Sequence, residues 1–190
     1  SGEIQQELLY DNFAYKHSVI GSMEDLSAAT VDDVAEFFKI YYAPNNAVLA
    51  LVGDFDTKDA LARIAKHFEN IPRQPNPPAV DMTEPEQKQE RRQTVDDMLA
   101  RVPRVDLAFK AVAGNTADFY ALQVLSAALQ GGQRSRLYQK LVKEKELTTG
   151  VNGFMDEKRG LGALYVGANL RPGATTAAEE STAWPMVSRP

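Results

Sequence analysis

The stretch Tyr42-Ala43-Pro44-Asn45-Asn46-Ala47-Val48-Leu49-Ala50-Leu51-Val52-Gly53-Asp54 reads as a helix end, a turn and a buried strand. Pro44 stops the helix, because it lacks an N–H and disfavours helical geometry at Ala43. Asn45 and Asn46 suit the turn, since their short amides bond locally and tolerate left-handed backbone. Ala47–Val52 is a continuous apolar run, which predicts a strand covered on both faces and ended by Gly53-Asp54. Nothing in the stretch carries chemistry, and its plain reading is a core strand with its turn.

Helices are expected on both sides of it. Upstream, Glu3–Ala14 reads as helical. Thr30 is a good N-cap, with Asp32 and Asp33 in the first turn where the helix dipole favours negative charge. The helix over Val31–Tyr42 is expected to bury Val34, Phe37, Phe38 and Tyr41 on one face. Downstream, Thr57 is read as the cap of a helix whose Leu61, Ile64, Ala65 and Phe68 share a face. Pro72, Pro75, Pro77, Pro78 and Pro85 then fall among polar residues, and residues 72–88 read as an extended, semi-rigid linker.

Beyond the linker, residues 89–95 could form a strand, and Arg104–Val112 alternates like one, with Val105, Leu107 and Phe109 on one side. Thr116 opens a helix carrying Phe119, Leu122, Leu125 and Leu129, and Gly131-Gly132 breaks it. A helix over residues 134–145 and strands near 149–155 and 163–169 follow, the strands separated by Lys158-Arg159-Gly160. A last helix is expected from Ala174 to Thr182, after Pro172-Gly173. Ala183-Trp184-Pro185 breaks its period, so residues 183–190 stand apart as a tail of uncertain origin. The fold class is α+β, with mixed, largely antiparallel sheets and helices packed on one face.

The chain has 190 residues, 44% hydrophobic and 25% charged, an ordinary globular composition. It has no cysteine, which excludes disulfides, thiolate metal sites and a cysteine nucleophile. No apolar stretch approaches the roughly 20 residues of a membrane-spanning helix. The net charge is −5. Residues 1–80 hold 12 acidic and 6 basic side chains, and residues 81–190 hold 14 and 15, so two units with different surfaces are expected. That balance argues against a nucleic-acid partner, which calls for a basic face. A targeting segment could lie upstream, and the compartment is left open, a periplasmic one fitting a bacterial source.

Several stretches together resemble the pitrilysin/insulinase family of zinc metallopeptidases, which includes the mitochondrial processing peptidase. They are His17-Ser18-Val19-Ile20-Gly21, Thr30-Val31-Asp32-Asp33-Val34, Tyr42 to Asp54 and Phe68-Glu69-Asn70-Ile71-Pro72. Past the linker they are Ala121 to Leu129, Gly131-Gly132, Ser135-Arg136-Leu137-Tyr138 and Leu141 to Leu147. Their order and spacing fit over most of residues 1–175. The resemblance implies two related α+β domains that close on a peptide. Residues 1–75 would be the closing half of the first, 76–88 the linker, and 89–182 the opening half of the second.

That family's zinc centre is H-x-x-E-H with a further glutamate downstream; paired histidines on one helical face bind the metal, and the glutamate activates its water. Here His17 and His67 are the only histidines, about 50 residues apart in the sequence. Neither is assigned a catalytic or metal role, nor are Glu3 and Glu7, which lie too close to the His17–Gly21 stretch to match the family's downstream ligand. The resemblance places zinc, if any, upstream. It also implies an Arg and a Tyr that grip substrate, in a pattern like L-R-x-K-x-x-L-x-Y. With Leu141 and Leu147 aligned, the Arg position is Val142 and the Tyr position is Thr149. Neither replacement can do that work: valine has no guanidinium fork, and threonine is far shorter than a phenol.

Arg134, Arg136, Lys140, Lys143 and Lys145 form a basic stripe, read first as a solvated helix face and second as a docking surface for peptide carboxylates, with Arg134 and Arg136 as its candidates. Gly131-Gly132 lacks the G-K-[ST] of a phosphate loop and reads as a turn.

The leading expectation is part of a zinc metalloendopeptidase that acts on peptide or unfolded protein, with the metal site upstream. The alternatives are a non-catalytic clamp or scaffold subunit, paired with a partner subunit of the same family, and a core subunit of a larger assembly. A homodimer formed through unpaired sheet edges is also open. The 190 residues alone are expected to bind no zinc and to cleave no peptide.

Overall fold

A computed structural model describes residues 2–172. The helix expected after Pro172 and the tail at 183–190 lie outside the described residues. The described residues form two compact units, one of residues 2–17 with 82–172 and one of residues 18–81. Residues 2–17 therefore pack with the segment after the proline stretch, a grouping that cuts across the sequence segments 1–75 and 89–182.

The first unit is built on a three-stranded antiparallel sheet: β1 (Arg104–Ala113), β2 (Thr148–Asp156) and β3 (Leu161–Leu170), in the order β1-β3-β2. β3 is central and pairs Ala108 with Tyr165 on one side and Phe154 with Tyr165 on the other. One face is covered by α6 (Ala117–Gln130) and by α7 (Tyr138–Glu144), a helix wound with π geometry whose end is tied by Lys145 N–H to Lys140 O at 3.0 Å. Leu129, Leu137, Leu141, Leu164 and Val166 form the core there. Thr116 caps α6 as its sequence promised, its hydroxyl accepting the Phe119 N–H. Gly132 (φ 76°) supplies the left-handed backbone that the α6–α7 turn needs.

The other face of the sheet is also covered, which the sequence did not indicate. The expected helix over Glu3–Ala14 is two pieces, α1 (Gly2–Leu9) and α2 (Phe13–Lys16), because the Asn12 side chain accepts the Ala14 N–H and starts a new helix. Leu9, Tyr10 and Tyr15 bury against Ala163, with Ala108 and Tyr165 beside them. The Tyr10 hydroxyl donates to Leu161 O and Gly162 O at 3.2 and 3.1 Å. Burial pushes its pKa well above the usual phenol value, so it stays a neutral donor. The Tyr15 hydroxyl donates to Met82 O at 3.0 Å and accepts the Leu161 N–H at 3.2 Å. A side chain at Gly160 would strike that hydroxyl.

Residues 72–88 form no helix or strand, and the end of the stretch is pinned. Glu84, its side chain fully buried, accepts the N–H groups of Asp11 and Asn12 and pairs with Lys110 at 2.6 Å. Burial raises the Glu84 pKa, and the Lys110 ammonium and the two amides outweigh it, so the carboxyl titrates below its usual range. Residues 89–95 are not a strand. Arg91 instead donates to Leu8 O and pairs with Asp11 at 2.7 Å, which holds the segment to α1 rather than to a ladder.

The second unit contains α3 (Met23–Ala28), α4 (Val31–Tyr41), a 3-10 turn at Pro44–Asn46 and α5 (Thr57–Phe68). Thr30 and Asp33 form a complete capping box on α4. The cap of α5 is Asp56, not Thr57; its carboxylate accepts the Asp59 N–H. The helix α3, capped by Ser22, went unread. The apolar face of α4 is where the sequence put it, yet Val34, Phe37, Phe38 and Tyr41 are exposed rather than buried.

The strand expected at Ala47–Val52 is not formed. Ala47 has extended backbone, but a strand exists only through a partner, and residues 18–81 contain no second strand. Val48 is 97% and Val52 95% exposed.

Glu84→Gln keeps the shape and removes the charge. Loss of its charge-assisted bonds is expected to cost on the order of 2 kcal/mol at pH 7. Because the native pKa lies below the unfolded value, this contribution is complete above about pH 4.5 and fades as pH falls through the native value. Amide exchange of β1 and β3 at pH 7 should therefore accelerate in the variant, and urea midpoints of the two proteins should converge in acid. Tyr15→Phe is expected to cost about 1–2 kcal/mol, read as faster exchange at the β2–β3 turn.

Candidate functional site

The four substrate-contact positions inferred from the sequence fall at different depths. Val142 lies on α7 beside Leu141, only 7% exposed, so it belongs to the packed interior. Thr149 is exposed near the start of β2, its hydroxyl 3.4 Å from Asn169 O. Arg134 and Arg136 are exposed on the turn into α7. In the basic stripe, Lys140 pairs with Glu144 at 2.7 Å one helical turn away. A solvated face is what such pairing supports.

Among the described residues, no group of three or more His, Asp or Glu side chains is placed to hold a metal ion. His17 ends α2; its ring stacks on Phe13 at 4.6 Å and its Nδ1 lies 2.6 Å from Phe13 O. His67 lies exposed in the last turn of α5. Among the described residues, no helix is long and apolar enough to cross a membrane.

An open groove of about 310 Å³ lies between α6 and β2, lined by Gln123, Ser126, Ala127 and Gln130 from the helix and by Gly153 and Met155 from the strand. Gln130 Nε2 donates to Ser126 Oγ at 2.9 Å and to Tyr165 O at 3.0 Å. A backbone carbonyl can only accept, so these bonds fix which end of the amide is nitrogen. Gln130 Oε1 is then buried without a partner, as is Thr148 Oγ1 at the start of β2. A side chain at Gly153 would collide with Gln130 Oε1 and Tyr165 O. The sequence reading did not single out this gap. Its signal was there: Ser126 and Gln130 are polar residues on the face of α6 that also buries Phe119 and Leu129.

The family described as the peptidase M16 inactive domain matches residues 28–183, and the chain belongs to it. The chain is 32% identical over 137 residues to the zinc protease PqqE of Helicobacter pylori, covering 71% of this chain and 31% of that one. It is 25% identical to an uncharacterised zinc protease of Streptomyces coelicolor, covering 86% of this chain and 37% of the relative. The crystal structure of a Helicobacter pylori protease superposes with a TM-score of 0.84 at 26% identity, covering 97% of this chain and 45% of that one. A Pseudomonas fluorescens peptidase M16 inactive domain shares the fold, at a TM-score of 0.76 and 22% identity, with 98% and 45% covered. The chain thus spans about a third of the length of these two curated relatives.

The burial of position 142 has a measurable consequence. Val142→Arg places a guanidinium among packed apolar groups and is expected to destabilise the unit by about 3 kcal/mol. Thr149→Tyr, on the surface, is expected to stay within about 0.5 kcal/mol. Urea denaturation of the two variants checks the contrast. Equal stability of both would show that position 142 can turn a long side chain outward.

Proposed function

We propose that this chain is the central part of an M16-type zinc metalloendopeptidase, with the metal site in a portion of the protein preceding residue 1. One observation carries the reading. A chain matching about a third of zinc proteases such as PqqE presents, in residues 18–81, helices with exposed apolar faces and an apolar, unpaired run at Ala47–Val52. Such a run needs a strand on its edge and cover on its faces. A sheet from the preceding portion would supply both and complete a first domain with residues 18–75, while residues 2–17 pack with the other unit. Residues 76–88 would link it to a second domain begun by residues 89–182. Zinc would be held and water activated in the preceding portion, and the substrate would be peptide or unfolded protein.

A second reading has its own support. With Val142 buried and Thr149 in place of a phenol, this half offers no Arg/Tyr grip on substrate. That fits a catalytic subunit whose partner subunit of the same family supplies the grip. It fits equally a non-catalytic clamp or scaffold.

The deciding experiment measures zinc content and peptide cleavage of the full-length gene product, alone and mixed with candidate partner subunits. Stoichiometric zinc with cleavage is the expected result, and cleavage that appears only on mixing would establish divided labour. Absence of zinc under every condition would leave the scaffold. The 190 residues by themselves are expected to show neither zinc nor cleavage.

A further inference from the structure

The dipeptide Asn-Gly occurs once in the chain, at Asn152-Gly153, and both residues are exposed on β2. Glycine after asparagine leaves the main-chain nitrogen unshielded, because no Cβ stands beside it. The fold holds glycine at 153 for a separate reason: any side chain there would strike Gln130 Oε1 and Tyr165 O. The strand is also loosely held. β2 is an outer strand of the sheet, its register shifts between Thr148 and Gly150, and Gly150 and Gly153 weaken it from within. Opening such a segment locally costs less than unfolding the unit. Across the sheet, Asn152 pairs with Gly167 of β3, and Gly167 pairs with Asp106 of β1. Arg104 reaches over Gly167, where any side chain would strike it, and sets Nη2 3.4 Å from Asn152 Oδ1. A cation thus stands beside the amide oxygen.

We propose that Asn152 is a site of spontaneous deamidation in the folded protein. During local opening of β2, the Gly153 nitrogen attacks Asn152 Cγ. A Cγ–N bond forms, the Cγ–Nδ2 bond breaks, and the proton lost from the Gly153 nitrogen leaves with Nδ2 as ammonia. The resulting succinimide takes up water at either carbonyl. Opening at Cγ gives aspartate, and opening at the main-chain carbonyl gives isoaspartate. The balance is one water in and one ammonia out, with no oxidant or reductant. Aspartate leaves the backbone intact and places a carboxylate against Arg104, which already pairs with Asp106 at 2.7 Å. Isoaspartate lengthens the main chain by one carbon and so breaks the spacing of the ladder. The two products have opposite consequences: one adds an ion pair across the sheet, and the other unpairs β2. The reaction is independent of zinc and of the peptidase reading.

The test incubates the full-length gene product, folded, at neutral and at mildly alkaline pH, beside a synthetic peptide of residues 146–160 that has no sheet to join. Digestion and mass spectrometry follow asparagine, aspartate and isoaspartate at position 152. The peptide sets the rate without structure. Deamidation in the folded protein is expected within about a hundredfold of the peptide rate, and retardation beyond that, equivalent to about 2.7 kcal/mol of protection, would overturn the site. The rate should rise with pH in both, because the attacking nitrogen must lose its proton; a rate in the folded protein that does not rise would overturn the succinimide route.

Hydrogen exchange over residues 148–156 reads the two products. Asn152→Asp reproduces the aspartate form alone and is expected to exchange within about twofold of the native protein. Faster exchange than that would overturn the pairing with Arg104. Molecules carrying isoaspartate, separated from aged protein by ion exchange, are expected to exchange about tenfold faster or more. Exchange equal to that of the intact molecules would overturn the unpairing of β2.

Discussion

The buried pair of Glu84 and Lys110 holds the first unit together across the sequence. Glu84 stands at the end of the proline stretch, Lys110 on β1, and the amides of Asp11 and Asn12 at the corner between α1 and α2. One carboxylate thus joins three segments that only a long chain excursion connects. A buried pair gains little over apolar packing and loses heavily when one partner goes, so its value lies in fixing geometry. Here it fixes where residues 2–17 lie, and so which side chains close the second face of the sheet. Tyr10 and Tyr15 follow from that placement: each reaches the start of β3 only because Glu84 and Arg91 hold the corner and α1 against the sheet.

The second unit shows the opposite condition. Its local signals are satisfied: capping residues stand at Ser22, Thr30 and Asp56, and each makes its bond. Short helices nevertheless gain most of their stability from burying an apolar face, not from caps. Phe37, Phe38, Tyr41 and Tyr42 touch mainly one another, with ring centroids 4.3 to 6.4 Å apart, while staying exposed. This unit therefore constrains the whole protein more than its own shape does.

This division explains what the sequence could and could not tell. Caps and periodicity are local, so α4, α6, β1, β2 and β3 were legible to within a few residues. Ala47–Val52 was read as a covered strand from its apolar run alone; the residues have the character of a strand, but residues 18–81 hold no strand to pair with them. Residues 89–95 failed for a related reason, since alternation cannot reveal that Arg91 is held by Leu8 O and Asp11. The split between α1 and α2 could have been seen at Asn12, a capping residue inside an apolar period. Glu84 could not have been found, because nothing in a proline-rich stretch distinguishes a carboxylate that will be buried from its exposed neighbours. Val142 and Thr149 were read as departures from a family pattern, and the burial of Val142 became visible only in the structure.

That burial bears on how this half could handle a peptide. A side-chain grip needs a long donor on an exposed position, and α7 spends position 142 on the core it shares with Leu141. Placing a long donor at position 142 would mean repacking that core, which is a larger change than one substitution.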